Sequence, residues 1–99
     1  MANVRWSEGA VDDLRAVGDY FERTSRQYAR SVVARLYGAV DVLADHPRLG
    51  RVVPEVDLDH VREIVREGYR IVYLESDDSV EVLAVLHGRQ DLGQKLRRG

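Results

Sequence analysis

The chain has no cysteine. That excludes a disulfide framework, a cysteine-based metal site and a thiol nucleophile, and it suits a reducing cytoplasm. Histidine is scarce too: His46, His60 and His87 stand far apart, so neither a metal nor a cofactor is expected. Long apolar runs are missing. No stretch reaches the roughly 18 residues of a membrane-spanning helix, and the start Met-Ala-Asn-Val-Arg-Trp has no signal-peptide core. A soluble, non-exported chain with no membrane partner is expected. An excess of positive charge is also absent: the net charge is −2. Residues 1–50 hold seven arginines against seven acids, and residues 51–99 hold eight bases against ten acids. This balance weighs against a wide surface for gripping nucleic-acid backbone. The one concentrated basic cluster is Lys95-Leu96-Arg97-Arg98.

What is present is a sequence of 99 residues, 44% apolar, long enough for a single compact core and too short for two. One domain over 1–99 is expected, with residues 93–99 a tail that, together with Leu92, either forms a short terminal helix or stays mobile, partial order being favoured. Val4-Arg5-Trp6 reads as a first strand, and Ser7 as the N-cap of a helix whose first turn holds Glu8. Ala10, Leu14, Val17 and Phe21 then recur at helical spacing on one stripe. Ser25 caps a second helix with an apolar arc from Tyr28 to Ala44, broader than one packing partner needs. It is expected to end before Pro47, because the residue preceding a proline is pushed out of helical geometry. Pro47 and Pro54 bracket a loop. Three β-rich runs follow: Val61 to Arg66, Tyr69 to Glu75 and Val80 to His87, joined by Glu67-Gly68 and by Ser76-Asp77-Asp78-Ser79. Connections this short make the three strands antiparallel. The order is β-α-α-β-β-β, an α+β fold with an antiparallel sheet packed on an N-terminal helical hairpin. Both faces of the last run are apolar, which predicts an interior strand. Strict alternation puts Val80, Val82, Ala84 and Leu86 on one of its faces.

Few residues stand out as chemical. Arg70 and His87 lie at the ends of strand runs, where side chains emerge from the core. For Arg70 the plain alternative is a rim arginine paired with Glu63 or Glu81. For His87 it is a histidine hydrogen-bonded at the core edge, against a group titrating near neutrality that binds an anion or moves a proton. Arg89 follows Gly88 as a bare surface arginine or an anion binder. Arg62, placed on the sheet face away from the helices, would complete a cluster with Arg70 and Arg89 that takes phosphate or an acidic surface. No nucleophile triad, phosphate loop or metal signature accompanies them. On the helices, Tyr20, Tyr28 and Tyr37, with Val33 and Val40, are either core or the docking groove of a permanent partner.

The order and spacing of several short motifs resemble the RelE/ParE superfamily of toxins from type II toxin–antitoxin modules. They are Trp6-Ser7 with Ala10, Asp13-Leu14 and Tyr20-Phe21; Leu43 through His46-Pro47 with Gly50-Arg51 and Pro54-Glu55; Val61-Arg62-Glu63-Ile64; Tyr69-Arg70-Ile71-Val72-Tyr73; and Val85-Leu86-His87-Gly88-Arg89. The resemblance implies a growth-inhibiting toxin in a hetero-oligomer with a cognate antitoxin of the ribbon-helix-helix ParD type. The antitoxin would contact Tyr20, Tyr28, Val33, Tyr37 and Val40. RelE-like members are ribosome-dependent, metal-independent endoribonucleases acting on mRNA, with Arg62, Arg70, His87 and Arg89 the candidates here. ParE-like members poison DNA gyrase without established catalytic residues, and Arg70, His87 and Arg89 would then bind the target. After Arg89 the stretch Gln90-Asp91-Leu92-Gly93 supplies no tyrosine, and Glu63 stands where the ribonucleases concentrate lysine. Leu-His-Gly-Arg resembles the ParE branch, so gyrase poisoning is placed ahead of mRNA cleavage and the chain is expected not to be an enzyme. An inert homologue serving as an antitoxin-binding co-repressor is the third reading.

Overall fold

The computed structural model describes residues 1–88 and 90–98, with side chains as far as Lys95. Strand β1 (Asn3–Trp6) leads into helix α1 (Glu8–Glu22), and α2 (Arg26–Gly38) follows after a three-residue break. Both serine caps form: Ser7 Oγ accepts from the Ala10 N–H at 3.0 Å and Ser25 Oγ from the Tyr28 N–H at 3.1 Å. These side chains satisfy amides that a helix start leaves without partners.

The second helix is shorter than its apolar pattern predicts. It stops at Gly38, the residue type least suited to a helix interior apart from proline, and a 3₁₀ turn covers Asp41–Ala44. The turn tightens the chain and seats Val40 and Leu43 in the core, where they are 1% and 0% exposed. The surplus apolar arc thus divides into a buried turn and exposed tyrosines.

After the loop come β2 (Arg51–Val52), β3 (Val61–Arg66), β4 (Tyr69–Glu75), β5 (Ser79–His87) and a short helix α3 (Leu92–Arg98). The sheet order is β1-β5-β4-β3-β2. Strands β3, β4 and β5 run antiparallel to one another, as expected, and β5 is an interior strand; β2, a two-residue strand inside the stretch read as a loop, pairs antiparallel with β3. Strand β1 adds to β5 in parallel, from Asn3 opposite Ser79 to Trp6 opposite Val82, so the sheet is mixed. The crossover that a parallel pair requires is supplied by the intervening helices and strands. At the β3–β4 turn Glu67 and Gly68 have φ of 55° and 80°. Two successive positive values mark the hairpin turn whose twist matches the flanking strands, and glycine takes the second at no steric cost.

The alternation along β5 is interrupted. Val72 pairs with Ala84 but Tyr73 pairs with Val82, a bulge that skips Leu83. The extra residue changes which face later side chains occupy. Val80, Val82 and Val85 therefore pack with Ile64, Ile71 and Tyr73 beneath α1 and α2, whereas Ala84 and Leu86 join Val72, Val53 and Leu92 on the opposite face. Val80, Val82, Ala84 and Leu86 do not share one face. Each completely buried side chain, such as Leu36 or Leu43, contributes on the order of 2 kcal/mol by leaving water.

Candidate functional site

Arg70 emerges from β4 onto the face away from the helices, and it is only 7% exposed. Its Nε donates to Glu63 Oε1 at 2.7 Å, and its Nη2 to Glu55 Oε1 at 2.7 Å. Nη1 donates both to Glu55 Oε2 at 2.8 Å and to the Gln90 carbonyl at 2.9 Å. Glu63 is 1% exposed, and its other oxygen accepts from Arg51 Nε at 2.6 Å. Glu55 Oε2 also accepts the Leu92 N–H at 3.2 Å. Arg70 thus joins β3, the loop after β2 and the start of α3. The hydrogen bonds from Arg70 hold the Glu55 carboxyl down to about 2, and Glu55 in turn raises the Arg70 guanidinium above its usual value. Of the two plain partners for Arg70, Glu63 is the one engaged.

Arg62 lies on the other side of the sheet. Register sets it opposite Tyr73, while Arg70 is opposite Val65, and cross-strand partners share a face. Ile64 and Tyr73, which belong with Arg62 in this alternation, pack under the helices. The expected cluster of Arg62 with Arg70 therefore does not form, because an eight-residue step across a tight hairpin leaves them on opposite faces. Arg62 instead pins the loop, donating to the Gly50 carbonyl at 2.8 Å, the Asp59 carbonyl at 2.9 Å and Asp59 Oδ1 at 3.0 Å. Gly50 fits there because an added Cβ would come within 2.5 Å of the Glu63 carbonyl oxygen. Arg89 lies outside the described residues.

His87 is exposed at the end of β5, edge-on to Tyr69 with ring centroids 5.7 Å apart. The two rings border a cleft of about 170 Å³ that also meets Tyr20, Gln90 and Lys95. Tyr20, read as an antitoxin contact, and His87, read as a target contact, thus share one cleft. Lys95 is held by Asp13 Oδ1 at 2.8 Å, and Asp13 Oδ2 accepts the Val85 N–H at 2.9 Å. Asp13 and Lys95 escaped sequence reasoning, since an aspartate among the polar residues of an amphipathic helix carries no mark of a distant amide. Glu55 escaped it as well, as a loop residue whose partner is fifteen positions away. Among the described residues no group of three or more His, Asp or Glu is placed to hold a metal ion, and no helix is long and apolar enough to cross a membrane.

The outer surface of the hairpin carries the remaining candidates. Tyr20, Tyr28 and Tyr37 are 58%, 49% and 58% exposed. Phe21 sits between Tyr20 and Tyr28 with edge-on contacts at 5.0 and 5.2 Å, and Tyr37 stacks on Trp6 at 5.4 Å. Val33 lines a groove of about 460 Å³ between α1 and α2, rimmed by Arg15, Asp19, Glu22, Arg26 and Arg30. Val40 is in the core and offers no surface to a partner.

Residues 4–92 match the family described as ParE toxin of type II toxin-antitoxin system, parDE. The chain belongs to the ParE toxin family. It is 38% identical over 95 residues to the protein Y4kP of Sinorhizobium fredii, covering 94% of this chain and 95% of that one. It is 34% identical over 88 residues to toxin RelE2 of Caulobacter vibrioides, covering 88% of this chain and 96% of that one. Among solved structures, a chain of the chromosomal ParDE system of P. aeruginosa superposes with a TM-score of 0.75 at 19% identity, over 88% of this chain and 96% of that one. That likeness concerns the fold, whereas the family match makes this a toxin of the RelE/ParE superfamily from a type II toxin–antitoxin system. In ParE terms the described candidates divide into an arginine drawn inward, a histidine cleft and an aromatic hairpin surface.

Proposed function

We propose that this toxin acts by binding DNA gyrase, and that a cognate ribbon-helix-helix antitoxin of the ParD type neutralises it in the cytoplasm through the hairpin surface. The observation that carries this reading is the engagement of Arg70. Metal-free RNA cleavage requires a base, an acid and concentrated positive charge against the developing phosphorane. Arg70 directs its hydrogen bonds to Glu55, Glu63 and Gln90. Two carboxylates offset its charge. Arg62 faces the other side of the sheet, and Lys95 beside His87 is paired with Asp13. His87 is left as a recognition side chain in an aromatic cleft, the kind of element that suits protein binding.

The RelE name of the Caulobacter relative favours a second reading, ribosome-dependent mRNA cleavage. Induction of the toxin without antitoxin separates the two. Inhibited supercoiling by purified gyrase, with ribosome-bound mRNA intact, is the expected result. Cleaved mRNA with normal gyrase activity overturns it, and an absence of growth arrest with antitoxin binding retained makes the chain an inert co-repressor.

A further inference from the structure

Every hydrogen bond from the Arg70 guanidinium runs into the protein, one to Glu63 on the adjacent strand and the others to Glu55 and Gln90 on segments distant in sequence. We propose that Arg70, with Glu55 and Glu63, is a positioning residue: the three form a clasp that fixes Gln90–Lys95 on the sheet and so shapes the His87 cleft used to recognise the target. The part concerning the target rests on the function proposed above. The clasp itself rests on geometry alone.

Two backbone groups on either side of Asp91 are tied, one in each direction. The Gln90 carbonyl accepts from Arg70, and the Leu92 N–H donates to Glu55. Between these ties the Leu92 side chain enters the apolar cluster of Val53, Val72, Ala84 and Leu86. Apolar contact alone sets how deeply a side chain sits and tolerates sliding. Directional bonds to Arg70, which is buried, and to its carboxylate partner Glu55 set the register. A turn further on, Lys95 reaches Asp13 on α1, so the segment is fastened at both ends. Gln90 and Lys95 both line the cleft with His87, Tyr69 and Tyr20. A shift of the segment therefore changes two walls of the cleft without touching His87.

Glu55→Gln tests the clasp, since it keeps the side-chain shape and an acceptor oxygen while removing the charge. Amide exchange at Leu92 is expected to accelerate at least about tenfold, with Ile71 and Val72 in the sheet ladder unchanged. Growth arrest and gyrase inhibition are expected to weaken by about tenfold in effective toxin concentration, while antitoxin affinity stays within about twofold. Glu55→Asp, which restores the charge on a shorter side chain, should recover part of both exchange protection and toxicity. A Leu92 amide that exchanges no faster in Glu55→Gln overturns the clasp, and a loosened segment with undiminished growth arrest overturns its role in shaping the target cleft. Exchange at Leu92 involves no target. A wild-type protein that cleaves mRNA and ignores gyrase would therefore sink the gyrase reading while leaving the clasp to be judged by exchange and growth arrest.

Discussion

At the scale of single residues, the decisive fact is that a carboxylate pair turns an arginine inward. Sequence reasoning offered Glu63 or Glu81 as a partner for Arg70; the register puts Val65 directly opposite Arg70 and Glu63 at the diagonal position on the same face, within reach of the guanidinium. Sequence reasoning had no means of finding Glu55, whose loop carries no periodic signal. The pair has a pH signature. The folded-state value of Glu55 is near 2 against an ordinary 4.5, so on acidification the unfolded chain takes up a proton first. Stability contributed by this group is complete above 4.5 and drains away as the pH falls from 4.5 toward 2. Thermal melting followed downward from neutrality should show a falling melting temperature across that window, with a shallower fall in Glu55→Gln. Equal slopes in the two proteins would remove Glu55 from the account.

At the scale of elements, both serine caps, the hairpin of helices, the three antiparallel strands and the Glu67-Gly68 turn were legible, because each depends on local chemistry. What escaped was set by distant contacts. The β5 bulge is invisible in a strand whose two faces are both apolar, since a shift of one residue leaves an equally apolar pattern. Parallel pairing of β1 likewise has no local mark. Where β1 ends at Trp6, the edge of β5 is closed from α1: the Ser7 hydroxyl donates to the Leu83 carbonyl at 3.3 Å and Asp13 accepts from the Val85 N–H. These two contacts replace the ladder that a longer β1 would supply. Asp13→Ala leaves the Val85 amide without its acceptor and Lys95 without its anion, at a cost of about 1–3 kcal/mol. Asp13→Asn keeps the acceptor and should cost less. Urea denaturation midpoints of the two variants check this, and equal losses would transfer the effect from the amide to the charge.

On the scale of the whole molecule, the sheet is covered on both faces, by the helical hairpin on one and by the loop and α3 on the other. Its apolar side chains are mostly buried within the chain, with Val65 and Leu74 left 50% and 37% exposed. The exposed aromatics of the hairpin remain, and they stand out because Tyr20 and Tyr28 contribute to Phe21 packing with one edge while more than two-fifths of each stays in solvent. A fold that needed them for its core would bury them as it buries Tyr73, which is 0% exposed and accepts the Gly50 N–H at 2.9 Å. Alanine at Tyr20 or Tyr28 should therefore lower stability by no more than about 1 kcal/mol, the size of one edge-on aromatic contact. For a partner that closes over these rings the loss is larger, because tyrosines buried at an interface carry a disproportionate share of its affinity. Calorimetric melting and titration with the antitoxin distinguish the two roles: a nearly unchanged melting temperature with at least about tenfold weaker binding is expected. A collapse of the melting temperature with binding unchanged would return both tyrosines to the core, and the antitoxin would then have to be sought on another face.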